Sequence, residues 1–335
     1  MGQAENFNSL ERITFVIKRR RMKKVALLFA GQGAQFVGMG RDLAKEFETG
    51  AYWFEKADSL LGFKLSSVCF EGPLSELTKT INTQPAIFVV SWVAFQLLKE
   101  NLPGFEFHAV AGLSLGEITA LVASDALDFE DGLRLIYLRG KYMQEACTAT
   151  AGGMAAIIGL DRQTVEKVAQ EASVFVANYN CPGQIVVSGP AANIPKVIEL
   201  AKAAGAKRVV PLEVAGAFHS PLMNPAVEKL APIVRELKIR TPRVPVLSNV
   251  TAKPHGDPDQ IRSLILEQIV SPVKWEDCVR YLLENGFTRF IELGPGTVLT
   301  GFMKRIASAT QLEVMNVGDV PSLRSTIATF QACAQ

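Results

Sequence analysis

The chain has 335 residues, 48% of them hydrophobic, with 35 basic against 33 acidic side chains. That length and apolar content suffice for a large core divided into two lobes, and the near-balance of charge excludes a broad nucleic-acid or membrane-surface field. Five scattered cysteines, Cys69, Cys147, Cys181, Cys278 and Cys333, form no C-x-x-C pair, so they read as reduced thiols of a cytoplasmic protein, excluding a disulfide framework or a zinc site.

Residues 1–21 end in Lys18-Arg19-Arg20-Arg21 and contain no secretory apolar region. They read as an N-terminal extension, disordered or a non-native start, because Glu5 and Glu11 fit a transit peptide poorly. No run is expected to reach membrane-spanning length. A first buried strand is predicted over 25–29, then the loop Gly31-Gln32-Gly33-Ala34-Gln35 and a helix over 41–47. An apolar helix follows Pro85 through Ile87, Val90 and Ala94 to Leu98, and a strand then leads into Ser114. Past a helix over 131–147 the rhythm changes. Strands at 154–158, 174–177, 184–188 and 208–210 alternate with helices at 162–171 and 192–204, the β-α-β-β-α-β order of a ferredoxin-like unit. A last strand and turn over 289–296 opens a core helix. The fold class predicted is α/β: an α/β-hydrolase-like large lobe with a mostly parallel sheet over 22–150 and 214–321, an inserted ferredoxin-like small lobe over 151–213, and a tail over 322–335.

Chemistry concentrates first at Gly112-Leu113-Ser114-Leu115-Gly116-Glu117, where a serine stands between two glycines at a strand-to-helix junction. Glycine two residues either side permits a sharp turn and close strand–helix packing, so that the hydroxyl projects and the Leu115 amide faces a developing oxyanion. Such a serine needs a base, and the chain holds only His108, His219 and His255. His108 lies at the far end of the Ser114 strand and His255 in a Lys-Pro-His-Gly-Asp-Pro turn, so both read as solvated loop residues. His219 ends a strand, with Ser220 as N-cap and Pro221 at the first helical position, and a helix N-terminus would keep it neutral. Arg139 shares a helix face with Leu135, Ile136, Tyr142, Met143 and Ala146. A guanidinium in an apolar stripe needs an anion, either a protein carboxylate or a ligand. Gly31-x-Gly33 opens like a dinucleotide fingerprint, but Phe36 stands where the third glycine belongs, so no such cofactor is expected. The loop could still bring a ligand close to its backbone.

Gly31-Gln32-Gly33-Ala34-Gln35, Gly112-Leu113-Ser114-Leu115-Gly116-Glu117, Tyr137-Leu138-Arg139-Gly140, Gly216-Ala217-Phe218-His219-Ser220 and Gln268-x-x-x-Pro272-Val273 occur in family order. Together, over 22–321, they resemble the malonyl-CoA:acyl carrier protein transacylases, acyltransferases of fatty-acid and polyketide synthesis. The resemblance implies that Ser114 takes the malonyl group as an ester with His219 as base, and that the amides of Gln32 and Leu115 form the oxyanion hole. It further implies that Arg139 grips the malonyl carboxylate, that the backbone carbonyl of Gln268 orients His219 in place of an aspartate, and that Gln84 and Phe218 line the pocket. Malonyl-CoA and holo acyl carrier protein are the implied substrates, with fatty-acid synthesis as the pathway and no cofactor or metal. A monomer in the cytoplasm, binding neither nucleic acid nor membrane, completes the expectation, with Lys141, Lys207 and Arg208 as candidates for a carrier-binding rim. Two positions depart from the family: Leu113 and Gly216 stand where histidines are common. The alternatives are a serine hydrolase or thioesterase, an acyltransferase serving polyketide synthesis, and a docking module without activity.

Overall fold

The structure, a computed structural model, describes residues 23–334 apart from 215 and 309, so the extension read over 1–21 lies outside it. Nine strands form among the described residues: β1 (Lys24–Phe29), β2 (Ala109–Gly112), β3 (Gly152–Ile158), β4 (Phe175–Cys181), β5 (Gln184–Pro190), β6 (Arg208–Pro211), β7 (Val246–Leu247), β8 (Phe287–Leu293) and β9 (Glu313–Val317). Along β1, Val25, Leu27 and Phe29 join one core cluster while Ala26 and Leu28 join another. A strand apolar on both faces belongs at the centre of a parallel sheet covered on both sides. The order is β7-β2-β1-β8-β9, and each pairing is parallel.

The helix Thr80–Asn101 begins upstream of the predicted start and carries Pro85 in its second turn. A proline so near the N-terminus forfeits only one early hydrogen bond, so the apolar stretch beyond it continues the same helix. Contrary to the expectation of no such run, this helix is long and apolar enough to cross a membrane by length and composition, with mean hydropathy 1.3. It lies buried in the protein, against the helices that carry Ser114's turn and Arg139. The C-terminal tail expected over 322–335 is instead most of a helix, Val320–Ala334, held by the buried Leu323 and Thr326.

Strands β3 to β6 with the helices Arg162–Glu171 and Ile194–Ala203 make the ferredoxin-like unit, sheet order β4-β5-β3-β6. One face of this sheet, Ala155, Ile157, Ile185 and Val187, packs on the two helices. From the other face, Met154, Ala156 and Val186 join the large-lobe core. Backbone bonds between Tyr179 and Val273 (2.9 Å) and between Val273 and Ala177 (2.8 Å) tie the two lobes together.

Candidate active site

Ser114 sits between the end of β2 and the helix Leu115–Ala123, with φ 54° and ψ −107°. That is a strained conformation for a side-chain-bearing residue, and it persists only where its surroundings enforce it. Enforcement is steric. A Cβ on Gly112 would lie 1.9 Å from the Gly116 backbone, and one on Gly116 would lie 2.3 Å from the Phe29 carbonyl oxygen. Strand and helix therefore meet backbone to backbone. Asn249 secures the turn, its Oδ1 accepting the Ser114 amide at 2.7 Å while its Nδ2 donates to the Gly112 carbonyl at 2.8 Å.

His219, also at positive φ (57°), brings Nε2 to 2.9 Å from Ser114 Oγ. Its Nδ1 lies 2.8 Å from the Gln268 backbone carbonyl. That carbonyl can only accept, so Nδ1 carries the proton and Nε2 is free to receive one from Ser114. Ser220 caps the following turn, accepting from the Leu222 amide at 3.3 Å. The imidazole is held down to about 4, first by burial and then by the charge of Arg139, against upward pulls from the carbonyls of Gln268 and Ser271. The cause thus differs from the helix N-terminus the sequence suggested. The outcome, a neutral base at pH 7, is the same.

Arg139, on the helix Phe129–Ala149, is 1% exposed. Its Nη1 donates to Gln84 Oε1 (2.8 Å), and Nη2 donates to Gln268 Oε1 (2.9 Å) and Ser114 Oγ (3.0 Å). Among the described residues no carboxylate lies within ion-pair distance of it, and its Nε is buried without a partner. Burial pulls the guanidinium down to about 10, opposed by Glu117, which leaves it charged at neutral pH. A buried cation surrounded by neutral oxygens beside a nucleophile is poised for an anionic ligand.

Ser114 and His219, with Arg139 buried behind them, open into a cavity of about 680 Å³, lined also by Gln32, Gln84 and Phe218 from the large lobe and by Met154, Asn180 and Val186 from the small lobe. The backbone amides of Gln32 and Leu115 have no protein acceptor among the described residues. Leu113 packs on Gly31, where a Cβ would meet it at 2.6 Å, and Gly216 packs on Cys147, where a Cβ would lie 2.4 Å from Sγ. Both departures from the family are therefore filled by packing. Arg208 and Gln184 both oppose Ile158, which places them on the cavity-facing side of the small-lobe sheet. Arg305, from the helix Val298–Ile306, donates to Gln184 Oε1 at 2.6 Å. Lys207 lies over Gly159 at the same sheet end, and none of Lys141, Lys207, Arg208 and Arg305 lines the cavity itself.

His255 corrects the sequence reading: it is a buried residue with Nε2 2.7 Å from Glu117 Oε1. The bridge between Leu247 and Pro254 and the bond from the His255 amide to the Val246 carbonyl (2.8 Å) fold its turn back onto the sheet edge, driving the ring inward. His108 is half-buried, its Nδ1 accepting the Val25 amide at 3.2 Å. Sequence reasoning also missed Asn249, Asn180 and the part played by Glu117. Glu117 carried a signal, a lone carboxylate in an apolar helix, the same argument that singled out Arg139. Asn249 and Asn180 carried none.

Fold and site together define a serine-nucleophile acyltransferase, and the model of the acyl transferase domain matches residues 26–331. A malonyl CoA-acyl carrier protein transacylase of Bacillus subtilis is 44% identical over 92% of this chain and 98% of its own length. That of Escherichia coli K12 is 40% identical over 88% and 96%. Among solved structures, a malonyl-transacylase in complex with a type II PKS acyl-carrier protein aligns with a TM-score of 0.88 at 37% identity, covering 92% of this chain and all of that one. An acyl carrier protein S-malonyltransferase of Vibrio cholerae gives 0.86 at 38%, covering 91% and 100%. The chain belongs to the acyl transferase domain family and, within it, to the malonyl CoA-acyl carrier protein transacylases.

Proposed function

We infer that the protein carries a malonyl group from malonyl-CoA to the phosphopantetheine thiol of an acyl carrier protein, through an ester on Ser114. The observation that carries this reading is one hydroxyl shared by a neutral base and a buried cation, Ser114 Oγ lying 2.9 Å from His219 Nε2 and 3.0 Å from Arg139 Nη2.

In the first half-reaction Ser114 Oγ attacks the thioester carbonyl while His219 Nε2 takes its proton. The C–S bond breaks and the proton passes to the departing CoA thiolate. In the second, the carrier thiol gives its proton to His219 and attacks the ester, and the Ser114 oxygen recovers the proton as the C–O bond breaks. The unpartnered amides of Gln32 and Leu115 are suited to receive the oxyanion, each such donor contributing about 3 kcal/mol to the transition state. Arg139 exchanges its neutral contacts for the malonyl carboxylate, which it grips bidentately. That exchange also offsets the positive charge that lowers His219, so a malonyl group makes its own base stronger. Gln84 and Gln268 hold the guanidinium in place, and Phe218 occupies space beside His219 that an α-methyl branch would need. The chemistry calls for no cofactor or metal. A monomer is the assembly proposed, and the four described cysteines are buried free thiols, which supports a cytoplasmic protein. The acidic carrier docks on the cationic rim of Arg208 and Arg305, and the product feeds fatty-acid synthesis.

Intact-mass spectrometry after mixing with malonyl-CoA, beside Ser114→Ala, tests the reading. A malonyl adduct that requires Ser114 and moves to holo carrier faster than to water is expected. Loss mainly to water would mark a thioesterase, and no adduct would sink the reading.

A further inference from the structure

Glu117 lies in the third position of a helix buried along its whole length, and it is 0% exposed. A carboxylate accepts hydrogen bonds and donates none when ionised, and it is costly to bury unless every lone pair is engaged. Three N–H groups from three separate segments converge on it. The Asn249 backbone amide (3.0 Å) and Gln268 Nε2 (2.6 Å) donate to Oε2, and His255 Nε2 lies 2.7 Å from Oε1. Among the described residues His255 Nδ1 is buried without a partner, and the ring's hydrogen-bonding engagement there is with Glu117.

Glu117 touches no reacting atom, but its partners hold all of them. Gln268 gives its side-chain oxygen to Arg139, its Nε2 also to the Ser114 carbonyl at 3.0 Å, and its backbone carbonyl to His219. Asn249 clamps the nucleophile turn. An amide between a carboxylate and a guanidinium has one acceptable orientation, NH₂ toward the carboxylate and C=O toward the guanidinium, because the flipped form sets like against like at both ends. Without the carboxylate, the Ser114 carbonyl and Arg139 still favour that choice, but the short contact to a charged acceptor at the NH₂ end is lost.

We propose that Glu117 is a positioning residue for acyl transfer. It fixes the Gln268 side-chain amide, and through it the Arg139 fork, on the same residue whose backbone carbonyl holds the His219 ring, while His255 anchors its second oxygen. This inference rests on the acyl-transfer reading above.

The test compares wild type, Glu117→Ala, Glu117→Gln and His255→Ala for transfer from malonyl-CoA and from acetyl-CoA to holo carrier, with thermal unfolding of each variant. Glu117→Ala should lose about 10²-fold in kcat/KM for malonyl-CoA, the scale of a small misplacement of reacting groups. KM for malonyl-CoA should rise and the malonyl-to-acetyl ratio should fall, because Arg139 is no longer aimed. His255→Ala should move both in the same direction by about fivefold, the worth of one hydrogen bond. Glu117→Gln keeps an acceptor toward Asn249 and Gln268 and presents its NH₂ to a His255 that can adopt its other tautomer, so it should rescue most of the selectivity. A folded Glu117→Ala with wild-type KM and ratio, or one that lost kcat alone in proportion to its active fraction, overturns the proposal. Should Glu117→Ala fail to fold, unchanged KM and ratio in both remaining variants overturn it equally. A wild-type protein that forms no malonyl adduct would instead defeat the acyl-transfer reading.

Discussion

Beneath Ser114 the large lobe sets Glu117, Asn249, Gln268 and Arg139, none more than 1% exposed, in one connected set of hydrogen bonds, while across the cavity the small lobe presents a sheet face ending in the exposed Arg208. The floor is buried, and most of its donors and acceptors are paired among themselves, so charges act at low dielectric and a displaced atom has little solvent to compensate it. The mouth is exposed and its charges are screened. The contrast assigns acyl-group choice and chemistry to the floor, and the admission of two differently shaped thioesters, coenzyme A and a carrier domain, to the mouth.

If that division is right, substitutions should scale with depth. Arg139→Ala should have the largest effect, lowering kcat/KM for malonyl-CoA by about 10⁴-fold and erasing the preference over acetyl-CoA, because a site built to bond a polar group discriminates by about that much. Rates measured on both acyl-CoAs check this, and a retained preference would move the carboxylate site elsewhere. The pH profile of serine acylation comes next. His219 must be neutral to act and in the unliganded site is held down to about 4, so kcat/KM for acylation should stay level from pH 7 to about 5 and fall tenfold per unit only below about 4. A fall beginning near 6.5 would mean an imidazole in contact with water. Smallest of the three, Arg208→Glu combined with Arg305→Glu should raise KM for the carrier by about tenfold at low salt and by less as salt is added. The malonyl-CoA half-reaction should change less, and equal losses in both would break the distinction between floor and mouth.

Several features were legible without coordinates because they are local. The glycines around Ser114 announce a backbone-to-backbone contact, and the alternation of apolar strands with amphipathic helices announces a covered parallel sheet and a ferredoxin-like insert. Arg139 was legible as a conflict, a charge among apolar neighbours. Its partners were not. Gln84 and Gln268 are separated from it by 55 and 129 positions, and no spacing rule reaches that far. His255 was misread for the same reason: a polar turn looks solvated until the chain folds it against a sheet edge. The register that puts Arg208 on the cavity side likewise belongs to a sheet assembled from four strands.

The local sequence singled out two lobes, a candidate nucleophile and base, and a charge in an apolar stripe, since each rests on residues within a turn or two of one another, while their catalytic roles came from the family resemblance. The tertiary structure alone decided that neutral glutamine amides, and among the described residues no carboxylate, stand beside Arg139, and that Glu117 lies behind them, whereas the Gln268 carbonyl beside His219 was already implied by the family resemblance. Hydrogen bonds in a buried site join whichever groups the packing of distant elements brings within 3 Å, and that distance is set by the whole core.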